Sequence, residues 1–264
     1  MSELVALFDI DPTPDPCDVA MEVVQEDDRI LWYRPTATRT PWSSGVPWTR
    51  FGASEVERGI DEVIAYFRAR GAGFTWTIRP DTWPADLAAR LETRGFLLEA
   101  RTHWLAARLP IAGLRTNAEV TVREANDAEA MRDSIAVEHP DWDDARRAVL
   151  LEERVAYLGC RERRRRFAVA YLDGRQIAAA RWRYGSLHPA VHLSGAETLP
   201  EFRNRGAYST LVEFRARQAL QRGKRYATII ADETTSAPIL MKRGFVSVGR
   251  ATIYLWPSDR FSSS

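Results

Sequence analysis

A chain of 264 residues has room for two modest cores, because domains commonly run about 100–200 residues each. With 45% hydrophobic and 28% charged residues it has the balance of a globular protein rather than a disordered tail, and a net charge of +1 supplies no field toward nucleic acid or an anionic membrane. Its two cysteines, Cys17 and Cys160, stand far apart with no CxxC or Cys/His spacing, which suggests neither a disulfide framework nor a metal site and suits a reducing cytoplasm.

In chain order, Met1 to Ile10 places the acidic Glu3 where a secretory leader needs positive charge, and no apolar run reaches the length of a membrane span, so a cytoplasmic protein is expected. Pro41 to Gly52 reads as a loop carrying Trp42 and Trp48; six of the nine tryptophans fall in this half, as packing groups or as the lining of a pocket for a flat or apolar ligand. Ser54-Glu-Val-Glu57 has the form of a capping box, and Val56, Ile60, Val63, Ile64 and Phe67 follow at helical spacing. After Gly71 come an apolar strand, Phe74 to Ile78, a helix from Pro84 to Arg94, and Arg94-Gly95-Phe96 opening a segment that ends at Trp104. The turn formers of Pro110 to Ala118 mark a boundary between domains at 1–115 and 116–264.

Beyond it, Val120 to Glu124 reads as a strand, Asp127 to Glu138 and Asp143 to Leu158 as helices, and Phe167–Leu172 with Gln176–Trp182 as a hairpin around Asp173-Gly174. The run Arg161 to Arg166 is too short and too isolated for a nucleic-acid platform and reads as a solvated strand start. Val191 to Leu199 is the next strand. Leu211, Val212, Ala216, Ala219 and Leu220 form a helical stripe ending at Gly223, and Tyr226 to Ala231, a helix from Thr235 to Arg243, Arg243-Gly244-Phe245 and Val246 to Trp256 complete the chain. The order helix, glycine, strand, helix, Arg-Gly-Phe, strand thus occurs twice, separated by roughly 150 residues, the pattern of domain duplication.

Glu197 to Val212 carries the chemistry. A strand ends at Pro200, and the basic loop Arg203-Asn204-Arg205-Gly206-Ala207-Tyr208 opens a helix whose free N–H groups and dipole favour an anion, while Gly206 permits close backbone approach. The segment resembles the pyrophosphate loop of the GNAT acetyltransferase superfamily, Arg/Gln-x-x-Gly-x-Gly/Ala, through Leu199, Pro200, Arg203 and Gly206, with Tyr208 departing from the usual small residue. The resemblance implies an α/β (α+β) chain of two GNAT-like domains, each a mixed, mostly antiparallel sheet flanked by helices. It implies acetyl-CoA as acyl donor, held by Thr198, Leu199, Arg203, Asn204, Arg205, Gly206, Ala207 and Tyr208, with Ser236 and Leu240 flanking the pantetheine. Leu240 stands where many members carry the tyrosine that protonates the departing thiolate.

His192 falls on the strand position that holds a base in related acetyltransferases, with Ser194 on its face and Glu197 in reserve; the acceptor amine must be neutral to attack, so a group with a pKa of about 7 is wanted. The first half resembles a second GNAT domain, as in tandem members, but Trp48 to Ser54 lacks the Arg-x-x-Gly spacing and reads as a degenerate copy without coenzyme. The expected activity is acyl transfer to a primary amine of a small molecule, with a non-catalytic acyl-CoA-binding sensor or scaffold as the alternative. Neither nucleic acid, nor membrane, nor metal is expected as a partner, and the oligomeric state is open.

Overall fold

The computed structural model describes residues 4, 6–8, 15, 17, 21–35, 44–185 and 189–257. They divide into two compact units. The larger comprises Met1–Asp18, Trp104–Ala231 and Thr235–Val248, and the smaller Val19–His103, Asp232–Thr234 and Gly249–Ser264.

In the smaller unit, β1 (Met21–Glu26) pairs antiparallel with β2 (Ile30–Pro35), and β2 with β3 (Gly45–Thr49). Strand β3 pairs parallel with β4 (Phe74–Ile78) through helix α1 (Val56–Arg68), and β4 lies antiparallel to Thr252–Trp256. All five members of the predicted α1 stripe are buried, packed with Phe74, Trp76 and Phe96 and with Leu87 and Leu91 of α2 (Leu87–Thr93). Phe67 and Phe74 stack at 4.3 Å. Each such side chain contributes about 1.5–3 kcal/mol on burial, so the stripe holds this unit together. The expected capping box does not form: Glu55 is the N-cap, without a side-chain bond, because Glu57 is drawn to Arg90 and Arg94. Nor is Pro41 to Gly52 a loop throughout, since Gly45 to Thr49 finds a strand partner on each side; Trp48 lies in β3, and Trp42 lies outside the described residues.

The larger unit is built on the antiparallel run β6 (Thr121–Glu124), β7 (Arg165–Leu172), β8 (Arg175–Tyr184) and β9 (Ala190–Thr198), with β9 parallel to β10 (Tyr226–Asp232) through α5 (Ala207–Gln221). The β7–β8 turn has φ of 50° at Asp173 and 77° at Gly174, the two left-handed residues that a tight hairpin requires. Helices α3 (Ala128–Glu138) and α4 (Asp144–Gly159) begin at Asp127 and Asp143, whose carboxylates accept from the N–H of Ala130 and Arg146. They cover one sheet face with Met131, Ile135, Leu150 and Tyr157 against Phe167 and Val169. On the other face Leu211, Val212, Ala216 and Ala219 of α5 pack on Ala168, Ala178, Ala180 and Trp182, while Leu220, at the end of the stripe, stays 39% exposed.

Strands β5 (Leu97–Arg108) and β11 (Val246–Trp256) each contribute residues to both units. The units therefore do not divide at the 115/116 connection: Trp104–Arg108 of β5 belong with the larger unit and Gly249–Trp256 of β11 with the smaller. A second difference concerns the cysteines. Cys17 and Cys160 form a disulfide, with Cα atoms 5.9 Å apart, because Cys17 lies in the core cluster against which Leu158 and Cys160, at the end of α4, also pack. Sequence separation carried no information about this pairing, and the expectation of a reducing compartment loses its basis. The arginine run is also less solvated than expected: Arg163 donates to the carbonyls of Leu158 and Cys160, Arg165 lies over the Tyr157 ring, and Arg166 approaches Glu124 at 3.8 Å. Among the described residues no helix is long and apolar enough to cross a membrane.

Candidate active site

The site forms in the larger unit where two parallel strands part. Strands β9 and β10 are paired from Ala190↔Tyr226 to Leu193↔Ile229, and among the described residues no pair joins them beyond that point, although β9 continues to Thr198. On its other side β9 stays paired with β8 but bulges: Arg181 opposes Ser194 and Ala179 opposes Glu197, so Gly195 and Ala196 together face Ala180. Gly195 has φ of 48°, in the region that favours glycine.

The bulge decides which side chains meet. Strict alternation would set Glu197 on the opposite face from His192 and Ser194. The extra residue restores it to their face, since Arg183, Arg181 and Ala179 of β8 oppose His192, Ser194 and Glu197 in turn. All three candidate catalytic residues therefore share the side covered by α3 and α4. His192 Nδ1 lies 3.2 Å from Thr228 Oγ1, and burial, reinforced by Arg183 and Arg215, pushes its pKa down to about 4. It is neutral at neutral pH and a weak base. Glu197 moves the other way: partial burial, then the charge of Glu138, raise its pKa, against opposing pulls from Arg181 and Arg203.

The loop after β9 makes a 3-10 turn at Pro200–Phe202, then passes through Asn204 at φ 63° to Gly206, the left-handed N-cap of α5 at φ 81°. A Cβ on Gly206 would lie 3.1 Å from that of Asn117, so both conformation and space select glycine. Asn117 went unnoticed in the sequence; it braces the loop by donating its side-chain amide to Arg205 O at 3.0 Å and its N–H to Thr210 Oγ1 at 3.1 Å. Nothing but its place among turn formers could have signalled it. Among the described residues no carboxylate lies within ion-pairing distance of Arg203 or Arg205; Arg205 rests over the Phe202 ring. The N–H groups of the first turn, including those of Ala207 and Tyr208, lie beyond the reach of intrahelical acceptors. Two arginines and these donors fit a pyrophosphate. Tyr208 is half-buried against the core of the unit, and burial raises its pKa.

Behind the bulge lies a second residue that sequence reasoning missed. Arg215 of α5 is fully buried; its Nη1 donates to the carbonyls of Arg181 (2.9 Å) and Ser194 (3.4 Å), and its Nε to that of Leu211. Burial pulls its pKa down to about 10, which leaves it charged near neutrality. It ties both bulged strands to the helix that carries the loop.

No protein-family model matches the sequence, and no curated protein does. Solved structures do match. A GCN5-related N-acetyltransferase from Kribbella flavida superposes with a TM-score of 0.65 at 16% identity, over 99% of this chain and 94% of its own. A tandem GNAT protein from the clavulanic acid biosynthesis pathway gives 0.59 at 16% identity, over 97% and 93%. A functionally unknown conserved protein from Staphylococcus epidermidis gives 0.66 at 13%, over 91% and 95%.

The fold is that of the tandem GNAT proteins. The parting of β9 and β10 and the loop before α5 lie in one continuous stretch of this GNAT fold. Thr198 closes β9, and Leu199 N–H donates to Ile177 O at 3.0 Å, which commits that amide to the sheet. Ser236 is half-buried at the start of α6 (Ser236–Met241). Leu240 is 1% exposed, its side chain packed in the core of the unit, and its carbonyl accepts from the N–H groups of Arg243 and Phe245.

Proposed function

We propose that the chain transfers an acyl group, typically acetyl, from acyl-coenzyme A to the primary amine of a small molecule by direct attack on the thioester. One observation carries the reading: a parallel strand pair parts at a bulge directly before a basic loop whose left-handed glycine opens a helix. When bound, the coenzyme supplies an activated acyl carbon and a thiolate leaving group.

Arg203, Arg205 and the first N–H groups of α5 would hold the pyrophosphate, as charge-assisted bonds are about twice as strong as neutral ones. Asn117 and Arg215 keep loop and bulge in register, and positioning supplies a large share of the rate in such reactions. Of the candidate bases, Glu197 suits the task better than His192. Partial burial and the charge of Glu138 raise its pKa above the ordinary carboxylate value, whereas a pKa of about 4 makes His192 the poorer proton acceptor of the two. We assign Glu197, directly or through a water, to remove the amine proton, and His192 with Ser194 to line the acceptor approach. The buried Leu240 offers no acid, so solvent protonates the thiolate, a tolerable leaving group near neutral pH.

Thiol release from acetyl-coenzyme A across a panel of amines, run beside calorimetric binding of the coenzyme, tests this. Turnover that falls in Glu197→Gln is the expected result. Coenzyme binding without turnover would favour a sensor or scaffold, and absence of binding would remove the reading altogether.

A further inference from the structure

The face of β8 and β9 that presents the candidate base is unusually cationic. Arg181 opposes Ser194 and Arg183 opposes His192, while on its other side Arg183 also opposes Arg165 of β7. Like charges directly opposite one another destabilise a sheet unless something else offsets them. Arg165 lies over the Tyr157 ring. Arg183 is exposed, and among the described residues no carboxylate lies within ion-pairing distance of it.

Arg181 is only partly neutralised. The carboxylate beside it is Glu138, 4% exposed, which spends both oxygens on Arg154 at 2.8 Å each and takes a further bond from Ser134 Oγ. Burial alone would raise the Glu138 carboxyl; Arg154, Arg181 and Ser134 hold it down at about 2. It stays 3.6 Å from Arg181 Nε, which is buried without a hydrogen-bond partner. The guanidinium lies on the bulge itself: a Cβ at Gly195 would come within 2.4 Å of Arg181 Nε and Nη2, so the glycine makes its place. The other carboxylate on this face, Glu197, stands past the bulge opposite Ala179.

Resting on the transferase reading, we propose that the acceptor is an amine that also carries a carboxylate, received by Arg181 and Arg183 while its nitrogen lies toward Glu197. The acid and the amine of one small molecule then match the order of charges along β8, cation at 183 and 181, anion opposite 179. A guanidinium receives a carboxylate through two parallel N–H donors, which fixes orientation as well as charge.

The test uses matched sets: amino acids, their carboxamides, and the same amines without the carboxyl group. A site built around buried polar groups rejects the analogue that leaves them unpaired. The acid is expected to exceed its amide at least about tenfold in kcat/KM, mostly through KM. Arg183→Gln and Arg181→Gln should each bring that ratio toward one, while calorimetric affinity for acetyl-coenzyme A stays unchanged and Arg183→Lys recovers part of the preference. Should Arg181→Gln fail to fold beside Glu138, the exposed Arg183 still carries the test. Equal turnover of acids and amides, or a ratio that survives both substitutions, overturns the proposal. If the coenzyme binds and no amine is turned over, the transferase reading falls by itself. Titration of amino acids and amides onto the coenzyme-loaded protein then decides the carboxylate site: acid-selective binding lost in the variants upholds it, and unselective or absent binding overturns it.

Discussion

Among the described residues two parallel strand–helix–strand crossovers occur, β3–α1–β4 in the smaller unit and β9–α5–β10 in the larger, and they treat their connecting loops in opposite ways. Before α5 the backbone turns left-handed at Gly206 and leaves Arg203 and Arg205 without carboxylate partners among the described residues. Before α1 the corresponding stretch is filled and neutralised. Phe51 is buried against Gly59, where a Cβ would come within 2.4 Å of the ring. Glu55 and Asp27 take Arg29 at 3.4 and 2.9 Å, and Asp81 takes Arg50 at 3.0 Å. Every helix has a positive N-terminal end. What distinguishes an anion site is the charge left unanswered there, and the smaller unit has answered its own.

Charge pairing separates the units a second time, and there the largest effect is expected. Glu138 and Arg154 are paired in the interior of the larger unit, whereas Glu57 meets Arg90 and Arg94 at the surface of the smaller. Removing one partner of a buried pair leaves an uncompensated charge, at a cost of about 3–5 kcal/mol. Glu138→Gln should therefore lower the denaturant midpoint steeply, and Glu57→Gln should scarcely move it, since exposed pairs are screened. Equal shifts would show that the Glu138 pair is solvated in the folded protein.

The loops give the next effect. Gly206→Val forces a β-branched residue to φ 81° and drives its Cβ toward Asn117. Acetyl-coenzyme A affinity should drop roughly a hundredfold, the weight of one or two hydrogen bonds to charged groups at about 1.5–3 kcal/mol each. Calorimetry with a circular dichroism control reads it, and undiminished binding in a folded variant would place the coenzyme elsewhere.

Titration sharpens the assignment within the site. His192 has its pKa lowered to about 4, so between pH 6.5 and 4 the folded protein binds fewer protons than the unfolded chain, and stability is lost as pH falls through that window. His192→Gln should flatten this part of the stability profile. The acid limb of kcat/KM should instead follow Glu197, whose raised pKa sets it above the ordinary 4.5. It should persist in His192→Gln, while Glu197→Gln lowers kcat on the order of a hundredfold. A limb abolished by His192→Gln would return the base to that residue.

How much of this was legible in the sequence depends on the range of the interaction. The α1 stripe and the Gly206 loop could be read because side-chain period and left-handed glycine are local properties. The bulge at Gly195 could not. Its effect is to undo the alternation by which Glu197 would be assigned the wrong face, and that requires knowing how β8 pairs. Arg215 interrupts an apolar stripe and so reads as a break in it, though it is the most deeply buried cation of the site. The Cys17–Cys160 pair and the division of β5 and β11 between the units are long-range choices, and an Arg-Gly-Phe strand start looks the same whichever neighbour the strand then takes.

The smallest expected effect tests the comparison most directly, because it asks whether the smaller unit retains any anion affinity. Arg50 is the basic residue of the Trp48 to Ser54 stretch, already held by Asp81, whose carboxyl is kept below its usual range: burial would raise it, but Arg79 and Arg50 outweigh burial. If that loop is closed to coenzyme, Arg50→Gln leaves acetyl-coenzyme A affinity and stoichiometry unchanged, whereas Arg203→Gln in the larger unit weakens binding. Phosphate binds wherever a free guanidinium and free amides coincide, and pairing with Asp81 removes the first of these. A second, weaker calorimetric site that disappears in Arg50→Gln would mean that coenzyme competes successfully with Asp81, and the two crossovers would then differ in affinity rather than in kind.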